Sequence, residues 1–192
     1  MNSFRKFIEN YTPISQSDWD TIAECLEIRG FSKNDFILKE GAICKHLYFL
    51  ESGLLRYFIN KDGNEITKFF TNAPYCFTSQ MSFNNQKPAT ENIQAIEKSV
   101  VWQLTLDQSN ALFELNSWST FARKIIQEVQ FFTEEILEEM QTETAESRYE
   151  KMLFNNAELT NRIPLQYLAS FLGIAPQSLS RIRKKLIEKD KT

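Results

Sequence analysis

Six polar side chains near the end of the chain have types that could act together: Gln177, Ser178, Ser180, Arg181, Lys184 and Lys185. The chemistry they suit is the reading of a nucleic-acid duplex. A glutamine amide offers a donor and an acceptor to the edge of adenine, and an arginine fork can grip guanine with two parallel bonds. Lysines hold phosphate oxygens, and a serine hydroxyl can reach either phosphate or base. Helical spacing puts all six on the outward side of one short helix, with Arg183 nearer its edge. Arg181 is the strongest candidate for a base contact.

Such reading requires a helix held at a fixed angle, and the flanking residues supply the means. In IPLQYLASFLGIAPQSLSRIRKKL (Ile163 to Leu186) a first helix opens at Pro164, where the missing N–H costs nothing. Leu165, Leu168, Ala169 and Leu172 form its inward stripe, and the small Ala169 and Ser170 suit a close helix crossing. Gly173 provides a tight turn, Ile174 plugs the angle, and Ala175-Pro176 opens a second helix anchored by Leu179, Ile182 and Leu186. This is the pattern of a helix-turn-helix whose second helix enters the major groove.

The charge distribution agrees. Formal net charge is −3, but residues 1–142 carry 13 Lys/Arg against 19 Asp/Glu, whereas residues 143–192 carry 9 against 6. An acidic body with a basic end suits a protein that meets DNA through that end alone. Cys25, Cys44 and Cys76 are far apart and form no C-x-x-C pair, which fits a reducing cytosol and argues against zinc or iron–sulfur chemistry. His46 is the single histidine, so no nucleophile–base set is visible. Glu134-Glu135 and Glu138-Glu139 read as a solvated helix surface rather than a catalytic pair. No catalytic residue, metal or cofactor is expected. The absence of a long apolar run predicts a chain that neither crosses a membrane nor carries a signal segment.

Upstream, sixteen phenylalanines in 192 residues imply a well-filled core. Asp18 to Ile28 reads as a helix. Phe36 to Leu38, Leu47 to Leu50, Leu54 to Ile59, Ile66 to Phe70, Ile93 to Ile96 and Val100 to Leu104 then read as short strands. Glu40-Gly41, Ser52-Gly53 and Lys61-Asp62-Gly63-Asn64 mark reversals, so an antiparallel barrel, sandwich or roll is expected. Helical periodicity returns near Thr105. Trp118, Ala122, Ile125, Val129, Phe132 and Ile136 then recur at spacings of four and three, a seam for packing against a twin helix. Phe121, Ile126, Phe131, Leu137 and Met140 widen that surface. Glu143 to Phe154 is read as a further helix and Asn155 to Arg162 as a polar connection.

Taken in order, these features resemble the cyclic-AMP receptor protein and fumarate–nitrate regulator (CRP/FNR) family of bacterial transcription factors. The likeness rests on FSKNDFILKEGAICKHLYFLESGLLRYF (Phe31 to Phe58), DGNE (Asp62 to Glu65) and LASFLGIAPQSLSRIRKKL (Leu168 to Leu186). The resemblance implies a cyclic-nucleotide-binding-type β-roll, a long dimer helix and a DNA-binding domain. The family's recognition positions would fall on Pro176, Gln177 and Arg181; Pro176 has no side-chain donor, which puts the usual operator in doubt. The family's phosphate cassette matches PYCFTSQMSFNNQKPATENIQA (Pro74 to Ala95), where no arginine stands. Pro88-Ala89-Thr90-Glu91 occupies the expected place, Lys87 is the one nearby cation, and Glu91 would repel an anion. A cyclic phosphate needs charge-assisted donors, so cyclic-AMP recognition is not expected. An effector pocket, if retained, would use Phe69, Phe77, Met81 and Phe83 with Lys87 and Thr90, although these rings also suit a simple core.

The expected architecture is therefore α+β. It has a β-roll sensor with its N-terminal helix over residues 1–116, a dimerisation helix over 117–142, and a helix-turn-helix domain with a reduced or absent wing over 143–192. The expected function is that of a cytoplasmic, homodimeric regulator binding double-stranded DNA, with RNA polymerase and an unidentified small-molecule effector as further partners. The alternative is a ligand-binding or protein-interaction module that no longer reads DNA.

Overall fold

The computed structural model describes residues 2–189. Two helices open the chain, α1 (Asn2–Glu9) and α2 (Gln16–Glu24). Strands β1 (Glu27–Phe31), β2 (Phe36–Leu38), β3 (His46–Ser52), β4 (Leu54–Lys61), β5 (Asn64–Asn72) and β6 (Tyr75–Phe77) follow. After α3 (Gln80–Asn85) come β7 (Asn92–Ala95) and β8 (Ser99–Thr105). The remainder is helical: α4 (Leu106–Leu112), α5 (Asn116–Thr142), α6 (Ala145–Arg162), α7 (Leu165–Leu172) and α8 (Pro176–Lys189). The strands form two four-stranded sheets, ordered β1-β8-β3-β6 and β2-β7-β4-β5, in an antiparallel β-roll. The chain divides into two compact units, Met1–Tyr57 with Phe70–Phe131, and Phe58–Phe69 with Phe132–Thr192.

In the first unit the register explains which residues turn inward. Phe49 on β3 faces Trp102 of β8 on one side and Cys76 of β6 on the other. Its ring stacks on Phe4 of α1 at 4.4 Å and meets Phe7 at 5.4 Å. Trp19, Ile22, Leu104, Leu112, Trp118 and Phe121 complete that core. Each such ring taken fully from water contributes about 1.5–3 kcal/mol. Helix α1, with Phe4, Phe7 and Ile8 spaced three and four apart, thus covers the sheet; it was not foreseen from the sequence. Local signals set the helix starts. Ser15 accepts a hydrogen bond from the Asp18 N–H, and Thr105 with Gln108 forms a capping box at α4. Gly53, at φ 112°, meets Ser99 so closely that an added Cβ would lie 2.2 Å from its Oγ.

Several expectations need correction. The short helix expected from Asp18 to Ile28 runs instead from Gln16 to Glu24, because Glu27 to Phe31 pairs with β8 as an edge strand. Strand β6 and helix α3 were missed, both lying in a stretch without clear periodicity. The polar connection after Phe154 is itself helical. Helix α6 is interrupted at Asn156 (φ −159°, ψ 85°), whose Oδ1 accepts the Leu159 N–H and so caps a second helical piece. Trp118 does not belong to an outward seam. It is 1% exposed and lies against Phe121 at 5.6 Å inside its own unit.

The second unit comprises the ends of β4 and β5, joined through Asp62-Gly63 as the sequence suggested, and the chain from Phe132 onward. Among the described residues no helix is long and apolar enough to cross a membrane.

Candidate nucleic-acid interface

Helices α7 and α8 fold against one another as the sequence pattern requires. Leu168, Ala169, Leu172 and Leu179 are buried, together with Ile163, Tyr149 and Thr160. The turn is a Schellman motif: Gly173 adopts φ 73°, its N–H bonds to the Ser170 carbonyl, and the Ile174 N–H reaches the Ala169 carbonyl. Pro176 is the first residue of α8, and the Ala175 carbonyl accepts from Ser178 and Leu179.

On α8, Gln177, Ser180, Arg181, Lys184 and Lys185 are exposed and Ser178 is half-buried. At 100° per residue, Gln177, Arg181 and Lys184 lie at the centre of the outward face, opposite Leu179 and Leu186. Ser178 and Lys185 fall on one flank, Ser180 and Arg183 on the other. The flanks are braced. Arg183 Nε donates to the Tyr149 hydroxyl at 3.0 Å with its guanidinium 5.5 Å from that ring. Lys185 Nζ pairs with Glu146 at 2.6 Å, which raises its pKa above the usual lysine value. Arg148 of α6 donates to the Leu172 carbonyl at 2.8 Å, closing the C-terminal end of α7. Lys184 stands 3.9 Å from Glu188 one turn on, both well exposed. A groove of about 490 Å³ beside this face is lined by Leu165, Ser180, Arg183, Lys184, Ile187 and Glu188.

Of the bracing set, Glu146 and Arg148 were not singled out from the sequence, which placed Tyr149 only on the inward side of its helix and Arg183 only nearer the edge of α8. Ser170 was read as a small residue at the helix crossing. Ala169 fills that role, and Ser170 instead bonds the backbone of β5.

The residues expected to line an effector pocket differ in exposure. Phe77 is buried and stacked on Tyr48 at 4.9 Å, and Phe83 is buried. Met81 is 76% exposed, and Lys87 and Thr90 are exposed as well. Phe69 is half-buried and belongs to the second unit. Met81 points to solvent because the α3 turn is fixed from its other side: Ser82 Oγ donates to the Lys87 carbonyl and accepts from the Cys44 N–H. Within the stretch Pro88-Ala89-Thr90-Glu91, Ala89 is buried. Glu91 is only 9% exposed and accepts a hydrogen bond from Ser79 at 3.0 Å. Burial first, and then the Glu91 charge, hold the Tyr57 hydroxyl well above its ordinary pKa. Arg56 on β4 is also buried, a cation that the reading of the cassette alone had overlooked. Among the described residues no group of three His, Cys, Asp or Glu side chains is arranged for a metal ion, and the three thiols are free.

Along α5, Ala122, Ile125, Val129 and Ile136 are half-buried. Phe132 and Phe131 are 49% and 65% exposed, and Ile126, Leu137 and Met140 are exposed too. The apolar surface thus lies on the distal part of the helix, past the residues absorbed by the core.

Residues 28–116 match the cyclic nucleotide-binding domain family. Nothing among curated proteins matches the chain. Among solved structures it is similar to FixK2 from Bradyrhizobium japonicum, with TM-score 0.72, 15% identity and 86% of each chain covered. A structure from Eubacterium rectale assigned to the crp/fnr family of transcriptional regulators gives TM-score 0.70 and 18% identity, over 93% of this chain and 88% of that one. The cyclic-di-GMP-responsive global regulator CLP of Xanthomonas campestris gives TM-score 0.69 and 15% identity, over 92% and 93%. Residues 28–116 thus resemble a cyclic nucleotide-binding domain, and over most of its length the chain shares the fold of these solved regulators.

Proposed function

We propose that the chain is a CRP/FNR-type transcription regulator that reads double-stranded DNA as a homodimer and whose roll does not recognise cyclic AMP. The observation that carries the reading is the exposed row Gln177, Arg181 and Lys184 on a helix braced through Tyr149 and Glu146. A helix held in this way can present a guanine-gripping arginine at a constant height in the groove. Pairing through Ile126, Phe131, Phe132, Leu137 and Met140 would bury the apolar part of α5 and set two reading helices about one duplex turn, roughly 34 Å, apart. The proposal places the protein in the cytoplasm, assigns it no catalytic role, and includes RNA polymerase among its partners.

For the roll, the stretch from Pro74 to Ala95 holds no arginine to give a cyclic phosphodiester charge-assisted hydrogen bonds. That argument applies to cyclic AMP and equally to cyclic di-GMP, to which the Xanthomonas regulator responds.

The test is selection of duplexes from a random library by the wild-type chain, followed by affinity measurement with Arg181→Ala. A palindromic consensus with half-sites one helical turn apart is expected. Arg181→Ala should lose discrimination at one base pair per half-site, by about 1–3 kcal/mol. Failure to enrich any sequence, with equal binding by both proteins, would favour instead a module that has ceased to read DNA.

A further inference from the structure

Ser170 sits on the first helix of the reading pair, yet its hydroxyl is engaged with a strand. It accepts a hydrogen bond from the Thr67 N–H at 3.0 Å and donates one to the Glu65 carbonyl at 3.0 Å. Both groups belong to β5, the terminal strand of its sheet. Residues 65 and 67 are alternate positions, so the carbonyl of one and the N–H of the other point to the same side. A single hydroxyl thereby does what a residue of an added strand does with its own N–H and C=O. Thr67 is buried at this joint. The joint lies three residues before Gly173, whose left-handed turn determines how α8 leaves α7.

We propose that Ser170 is a positioning residue for DNA reading: its hydroxyl pins α7 to the hairpin formed by the ends of β4 and β5, and so fixes the height and angle at which α8 presents Gln177, Arg181 and Lys184. The proposal rests on the DNA-reading function above. Two hydrogen bonds held at one atom restrain both rotation of α7 about its axis and sliding along the strand. A packing contact would restrain neither as sharply. Because the hairpin and the reading helices form one compact unit, a shift of the hairpin carries the reading face with it.

The experiment compares full-length wild type with Ser170→Ala, Ser170→Thr and Ser170→Val. Alanine favours helix more than serine, so weakening of α7 itself is not a consequence of that change. Threonine keeps the hydroxyl, and valine matches its shape without one. Two quantities are read: amide hydrogen exchange at Thr67, and affinity for the duplex selected by wild type against a scrambled duplex. In the alanine and valine variants Thr67 should exchange roughly tenfold faster, as loss of a net hydrogen bond implies. Discrimination between the two duplexes should fall roughly threefold to tenfold. Threonine should restore both. Unchanged Thr67 exchange in Ser170→Ala overturns the joint. Faster exchange with unchanged discrimination, or threonine behaving like valine, overturns the positioning role. If wild type itself selects no duplex, the DNA-reading proposal fails and this one with it; that outcome differs from a variant matching a selective wild type.

Discussion

On the proposed DNA-reading function, removing a negative charge at the flank of the reading helix should strengthen DNA binding and make it more sensitive to salt. The charge is Glu146, whose carboxylate holds the Lys185 ammonium at 2.6 Å on the flank of α8. A lysine so paired releases few counterions when it nears a phosphate, because its charge is already largely neutralised. Glu146→Gln frees that ammonium. Each phosphate newly neutralised steepens the dependence of log K on log salt by about 0.9. Between about 50 and about 200 mM salt, the extra slope is worth about 3.5-fold in affinity for one reading helix and about twelvefold for two. The same measurement therefore counts the helices engaged. The assay is fluorescence anisotropy of a labelled duplex across a salt series, with wild type, Glu146→Gln, Lys185→Gln and the double variant. Lys185→Gln should leave the wild-type slope nearly unchanged, and the double variant should return to it. A Glu146→Gln slope equal to or shallower than wild type would refute the reasoning, as would steepening that persists in the double variant.

Two further tests separate core from interface and probe the roll. Trp118→Ala should destabilise the fold by about 3–5 kcal/mol in urea unfolding of the first unit, whereas Phe131→Glu should leave that unfolding unchanged and shift sedimentation toward monomer. Association lost in the tryptophan variant without loss of stability would restore Trp118 to the seam. His46 is held below its ordinary pKa by burial first, with Arg29 and Lys45 acting in the same direction and Glu27 opposing them. The unfolded chain then binds the extra proton more readily, so stability falls as pH drops from about 6.5 through the lower folded value. His46→Gln should remove that part of the decline in urea midpoint; a wild type that gains on the variant as pH falls contradicts the sign.

The fold was legible where a residue's role follows from its neighbours in sequence. The strands carry aromatic and β-branched runs closed by turn residues, and the α7–α8 turn is set by Gly173 and Pro176. Both depend on backbone preferences expressed within a few positions. What escaped was set by distant partners. Glu27 to Phe31 has no strand pattern of its own and is extended because β8 pairs with it. Trp118 continues the spacing of the α5 seam perfectly well, but α1, whose helix was not foreseen, forms with it the core that buries it. Met81 seemed to belong with Phe77 and Phe83 by composition, and Ser82 turned it outward through hydrogen bonds to Cys44 and Lys87. The outward face of α8 could be read from helical period. Which of its cations are engaged elsewhere could not, since Glu146 and Tyr149 lie more than thirty positions away.

That last point changes how the basic end of the chain works. Counted from sequence, residues 143–192 carry nine cations, enough to suggest binding through bulk charge. Four of them hold the protein together: Arg148 on the Leu172 carbonyl, Lys151 on Glu139 and Glu143, Arg183 on Tyr149, and Lys185 on Glu146. On the centre of the reading face stand Arg181 and Lys184, with the neutral Gln177 beside them. Arg181 and Lys184 by themselves fall short of the six to ten phosphate contacts on which other DNA-binding proteins rely. On the proposed DNA-reading function, discrimination would come from where Arg181 and Gln177 meet base edges, and that would depend on the angle of α8 more than on its charge. For the DNA reader proposed above, the braced arginine and lysine and the Ser170 joint would exchange non-specific attraction for a fixed geometry.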